Sequence, residues 1–231
     1  MFNRSSFHFI KRGNQLRANR FYYYMRRPVA HGIDPATGKE ADLSQRAFIA
    51  RPDDLKTLLA VPKERLSDVT VVAYHSWETS RHRLASVDGK TNALILTGDA
   101  PWKLLGEPSQ RYHVENFREA LDAPGEWFLD RDGTLLYKPL PGEDPATAEV
   151  IAPATETFVK LAGEPTLGLY VEHVALRGLA FRHAQYILPP NGHADGQAEV
   201  TIPAVIMANG ARHVAIEDCE VSHIGTYAVW F

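Results

Sequence analysis

His183 and His223 stand 40 residues apart, each two positions after an apolar residue, Phe181 and Val221. If the chain between them folds back once, their imidazoles stack, and a stacked pair could help hold a metal ion or a sugar. The simpler account is that each caps the end of a strand. Tyr227 and Trp230 follow soon after, and aromatic faces of this kind suit the apolar face of a pyranose, although Trp230 would serve equally well as core. Glu217, Asp218 and Glu220 could carry acid–base chemistry, but polar, solvated strand corners use the same residues, and that structural role is preferred. His75 and His82 lie near Ser76 and Ser80, yet nothing in the sequence holds a base and an orienting acid at a defined place beside either serine. Cys219 falls on an inward repeat position, equivalent to Leu179, where packing is its expected role.

These side chains are positioned by an internal repeat. The segment Glu172-His173-Val174-Ala175-Leu176-Arg177-Gly178-Leu179-Ala180-Phe181-Arg182-His183 aligns without a gap on Arg212-His213-Val214-Ala215-Ile216-Glu217-Asp218-Cys219-Glu220-Val221-Ser222-His223. Upstream, Phe158 to Gly163 corresponds in type to Val205 to Gly210. Each unit reads as short strands joined by sharp corners, and such a unit cannot bury its inner face alone. Units of this kind must stack, which is the logic of a solenoid and here of a parallel β-helix. The polar stretch Leu188 to Ala198 exceeds the bare repeat and is expected to leave the solenoid as a loop.

Before the repeat, Val69 to Trp77 and Ala93 to Leu96 read as strands, with a turn at Asp88-Gly89. A short helix is expected around Leu55, Leu58 and Leu59, capped by Asp53 or Asp54 and ending before Pro62. Two helical turns are expected over Val114 to Leu121, followed by a hairpin with strands at Glu126–Leu129 and Thr134–Lys138. Residues 1–52 read as irregular, with the turn-rich patch His31 to Gly38 as loop. Seven basic residues precede the first acid, Asp34, and a solvated basic surface is favoured over a transit segment because Phe21 to Met25 resembles structured protein.

Composition excludes several classes. The 231 residues carry 25 Lys+Arg against 28 Asp+Glu, a net charge of -3, so no global field attracts nucleic acid or anionic lipid. No apolar run approaches the roughly 20 residues of a membrane-spanning helix. One cysteine rules out an intramolecular disulfide. Gly-rich phosphate loops and paired His-Glu zinc motifs are absent, so no cofactor and no metal are expected. Phe7 to Ile10 is too short for an export signal.

The segment Val114-Glu115-Asn116-Phe117-Arg118-Glu119-Ala120-Leu121-Asp122-Ala123-Pro124-Gly125-Glu126-Trp127-Phe128-Leu129-Asp130-Arg131, with Gly133 to Tyr137, resembles the signature of bacterial right-handed parallel β-helix proteins related to glycoside hydrolase family 141. A second match is His-x-Gly-x-Tyr-x-x-Trp-Phe, here His223, Gly225, Tyr227, Trp230 and Phe231. The resemblance runs over roughly residues 66–231, while Lys11 to Arg20 matches the opening of the family's insertion only loosely. It implies an all-β fold, a partial right-handed parallel β-helix with a β-rich insertion domain. Residues 1–65 would be an irregular segment and the start of the insertion, 66–148 the β-rich insertion with its short helix and hairpin, and 149–231 the coils. It further implies hydrolysis of polysaccharide or oligosaccharide, with catalytic carboxylates on coils beyond Phe231. Substrate contacts would fall to His183, His223, Tyr227 and Trp230, and the chain alone would be inactive. Family members are typically secreted or periplasmic, and these residues leave the compartment open. A non-catalytic glycan-binding or structural β-helix is the alternative and a polysaccharide lyase the third. Exposed coil ends would favour self-association.

Overall fold

The computed structural model describes residues 22–106, 109–195, 197 and 199–231. Among the described residues every regular element other than short 3₁₀ turns is a strand, so the fold is all-β, and its sheets are open. Contacts divide it into two compact units, one containing residues 22–147 and 188–199, the other residues 148–187 and 200–231.

The first unit holds β1 (Tyr23–Tyr24), β2 (Arg27–Pro28), β3 (His31–Ile33), β4 (Glu40–Asp42), β5 (Ala47–Ile49), β6 (Thr70–Tyr74), β7 (Thr79–Asp88), β8 (Ala93–Leu96), β9 (Arg111–Glu115), β10 (Trp127–Leu129) and β11 (Leu135–Tyr137). Seven of these form a sheet in the order β1-β9-β6-β7-β8-β5-β2, every neighbour antiparallel. Its buried face carries Phe48, Val71, Leu84, Leu94, Leu96 and Tyr112, none more than 1% exposed. Burying an aliphatic or aromatic side chain of this kind stabilises by about 1.5–3 kcal/mol, which is why the sheet needs no helix to hold its register.

Three expectations are corrected here. Residues 22–52 are not irregular: β1 to β5 lie there, and the patch from His31 to Gly38 belongs to the hairpin of β3 and β4. Asp34 makes that turn by accepting bonds from the Ala36 amide and the Thr37 hydroxyl. The helix expected over Val114 to Leu121 is instead the end of β9 and a single 3₁₀ turn, Arg118–Ala120. Asn116, at φ 65°, and the extended Phe117 break any helical path between them. The helix at Asp53 to Leu59 is two 3₁₀ turns, Pro52–Leu55 and Leu58–Ala60, without side-chain caps. Asp54 accepts a hydrogen bond from Tyr112 Oη across the core instead. The expected hairpin is present, pairing Trp127 with Tyr137 and Leu129 with Leu135. Of the basic amino terminus, Arg26 and Arg27 are exposed, whereas the segment from Arg4 to Arg20 lies outside the described residues.

The second unit contains β12 (Val159–Ala162), β13 (Val171–Glu172), β14 (Ala175–Arg177), β15 (Ala180–Arg182), β16 (Ala204–Asn209), β17 (Ala211–Arg212), β18 (Ala215–Glu217), β19 (Glu220–Ser222) and β20 (Tyr227–Trp230). Each strand of the first repeat pairs in parallel with its counterpart in the second: Val171 with Ala211, Ala175 with Ala215, Ala180 with Glu220. β12 pairs with β16, Val159 opposite Ile206, and β16 pairs in turn with β20. Left-handed backbone residues make the corners in register: His173 over His213, Gly178 over Asp218, His183 over His223, all at φ between 52° and 64°. One such residue between two short strands turns the chain sharply. Phe181, Ala184, Val205 and Ile206 are the buried apolar centre of this unit.

Candidate functional site

The repeat stacks its corner histidines. His183 and His223 lie with ring centroids 4.9 Å apart and 23° between planes, and His173 and His213 stack the same way at 5.0 Å and 3°. Their left-handed conformation places them on corners, so they do not continue the strand parity of Phe181 and Val221. Burial holds the His223 imidazole below the usual histidine range.

The four residues expected to contact substrate are not gathered into one cluster. Successive strand side chains point to opposite faces, so in β20 Tyr227 and Val229 share one face and Trp230 the other. Because Val229 pairs with Ile206 and Met207 with Trp230, Trp230 lies on the side of Met207 and Lys160, away from the core residues Val159 and Ile206. Tyr227 keeps the parity of the core side.

The acids of the repeat are held by arginines. Arg177 Nε meets Glu217 Oε2 at 2.7 Å, Arg182 Nε meets Glu220 Oε1 at 2.9 Å, and Arg212 pairs with Glu172. Each bridge joins neighbouring repeats. The hydrogen bond from Arg182, then that from Ser222, pulls Glu220 down to about 2, so it stays ionised and offers no proton at neutral pH. Cys219 Sγ lies 3.4 Å from the Leu176 carbonyl oxygen, packed among the partly buried apolar residues.

In the first unit, His75 Nε2 lies 2.9 Å from Ser80 Oγ and its Nδ1 3.2 Å from Gln110 Nε2. Gln110 is oriented by its Oε1, which accepts from the Leu105 amide, so its NH₂ donates to His75 Nδ1. The imidazole therefore carries its proton on Nε2 and donates to the serine. That is the wrong tautomer for a base, and Ser80 is fully buried. Trp77 and Trp102, 66% and 36% exposed, meet edge to face at 5.3 Å in the same unit.

Sequence reasoning overlooked a second cluster. The polar stretch 188–199 returns to the first unit, where the Arg81 amide donates to the His193 carbonyl at 2.8 Å and the His193 amide donates back at 2.6 Å. His82 Nδ1 lies 3.1 Å from the Asn191 carbonyl oxygen. A side chain at Gly192 would overlap His82, so the approach requires glycine, here at φ 83°. This docking brings the ligand atoms of His193, Asp195 and Glu199 within 4.8 Å of one another, with His193 Nε2 and Glu199 Oε2 at 2.6 Å. Glu78, in the turn between β6 and β7, feels the charges of this group. Burial, then the charges of Glu199 and Asp195, push its carboxyl up to about 7. The signal available in the sequence was the spacing His-x-Asp-x-x-x-Glu in a stretch otherwise read as loop.

Neither the protein-family models nor the curated proteins give a match to this chain. Among solved structures, one described as "Glycoside hydrolase" superposes with a TM-score of 0.62 at 18% identity, over 88% of this chain. The chain spans 41% of the length of that structure. At this identity the likeness concerns architecture alone: the chain shares the all-β fold of that structure.

Proposed function

We propose that this chain is part of a carbohydrate-active protein, a glycoside hydrolase of right-handed parallel β-helix architecture related to family 141. In this reading residues 149–231 are coils and 66–148 a β-rich insertion. The observation that carries it is the parallel pairing of the two repeats at a constant offset, Ala175 with Ala215 and Ala180 with Glu220, in a chain sharing its fold with a glycoside hydrolase. Coils that pair strand for strand are the building principle of a solenoid.

Hydrolysis of a glycosidic bond ordinarily needs two carboxyl groups, one of them protonated. Glu172, Glu217 and Glu220 are committed to arginines, which argues against these three as the catalytic acids. Within it, Trp230 is the strongest sugar contact because it shares a face with the polar Lys160, with the His183–His223 pair as a hydrogen-bonding site.

Affinity electrophoresis of the 231-residue chain through a panel of plant and microbial polysaccharides tests this. At least one glycan should retard it, Trp230→Ala should weaken that retardation about tenfold or more, and Tyr227→Ala should have less effect. No reducing ends should be released. Turnover by the isolated chain would overturn the placement of the acids, and equal mobility in every glycan would overturn carbohydrate recognition.

A further inference from the structure

The ligand atoms of His193, Asp195 and Glu199 converge in the 188–199 stretch, and the charges of all three act on Glu78, in the turn between β6 and β7. His193 and Glu199 satisfy each other through their 2.6 Å contact, and by itself that contact needs no ion. Glu78 is the exception. Both of its carboxylate oxygens are closed to solvent, under 1 Å² each, and neither receives a hydrogen bond. Buried carboxylate oxygens without donors are costly and uncommon in folded proteins. The charges acting on this carboxyl are those of Glu199, Asp195 and His193, so it belongs to the same cluster. Arginine and lysine, which neutralise the acids of the repeat, are not among those charges.

We propose that His193, Asp195 and Glu199, with Glu78 beside them, form a binding site for a divalent first-row transition cation of the zinc type, which fastens the 188–199 stretch to the head of β7. The donor set decides the class. One imidazole with carboxylates suits Zn²⁺ or its neighbours, whereas Ca²⁺ takes six to eight oxygens and Mg²⁺ keeps several waters. The ligand atoms already lie within 4.8 Å of one another, and small side-chain rotations bring them onto a shared ion. The backbone is preset for it: the paired bonds of Arg81 and His193 and the close approach of Gly192 to His82 fix the stretch before any ion arrives.

Titration calorimetry of the chelator-stripped 231-residue chain with ZnCl₂, and separately with CaCl₂, tests the site. One Zn²⁺ equivalent should bind, and its affinity should fall more than about tenfold in Asp195→Asn and in Glu199→Gln while persisting in His183→Ala. Zn²⁺ at about a hundred times its Kd should raise the Tm by about 5–10 °C in the unaltered chain and leave that of Asp195→Asn unchanged. Should the variants fail to fold, the unaltered chain decides: the imidazole resonances of His193 must move on adding Zn²⁺. Equal affinity in all variants, loss in His183→Ala alone, unmoved His193 resonances, or Ca²⁺ binding in preference to Zn²⁺ would each overturn the proposal.

Discussion

His75 shows how a pair of residues with catalytic potential is spent on structure. Its neutral form satisfies both ring nitrogens, one toward Ser80 and one from Gln110, and protonating Nδ1 would set two donors against each other. Burial, followed by the positive charge of His82, lowers its pKa below the ordinary 6.5. Below about pH 6.5 the folded state therefore binds fewer protons than the unfolded chain, so this contribution is fully present above 6.5 and lost as pH falls through the folded value. Urea unfolding of the unit containing residues 22–147 should show a midpoint that drops between pH 7 and pH 5.5, and His75→Gln should make the drop shallower while lowering stability at pH 7. A slope unchanged by the substitution would mean that His75 titrates alike in both states.

Among the elements, the repeat was the most legible because its evidence is redundant: the gapless alignment of Glu172–His183 on Arg212–His223 fixes register at an offset of 40, and Val159 pairs with Ile206 by the separate correspondence of Phe158–Gly163 with Val205–Gly210. Glycine tests that register closely. A Cβ on Gly163 would overlap the Gly210 carbonyl oxygen of the neighbouring repeat, so Gly163→Ala should cost about 1–3 kcal/mol in this unit. Gly178, by contrast, is an open corner at φ 64° whose counterpart is Asp218 at φ 52°. Gly178→Asn should fall within about 0.5 kcal/mol, and denaturation of the two variants side by side measures the difference. The first unit was less legible for physical reasons. β1 to β5 are two or three residues long, too short to show a period, and β7 hides its alternation because its inward residues include Ser80 and His82 while Arg81 and Arg83 face outward. Val114 to Leu121 has helical spacing, but Val114 and Glu115 pair with β6 as the end of β9, and there tertiary pairing prevails over local pattern. Glu78 and Glu199 lie too far apart in sequence for any spacing rule to join them; of their cluster, only the histidine and acids within the 188–199 stretch were visible.

At the scale of the whole molecule the two units differ in how they hold themselves together. The described residues of the first unit include a continuous buried cluster running from Tyr23 to Ala120, whereas a small buried cluster of Phe181, Ala184, Val205 and Ile206 lies at the centre of the second. In the second unit Val159, Leu176, Ile216 and Val221 are only partly buried, because a stacked repeat covers each layer from its neighbours. Strands β13 to β15 and β17 to β19, of two or three residues, are joined by exposed arginine–glutamate bridges, and these fix register more than they add stability. Backbone protection should follow the apolar burial and not the bridge count. Hydrogen exchange followed by mass spectrometry should find amides of β14, β15, β18 and β19 exchanging well before those of β6, β8 and β9, and raising the salt to 0.5 M should change the order little. Exchange of both sets at one common rate would show that the chain opens as a single cooperative unit; early loss of β6 and β8 would mean that the stacked repeat is the stable part of the molecule.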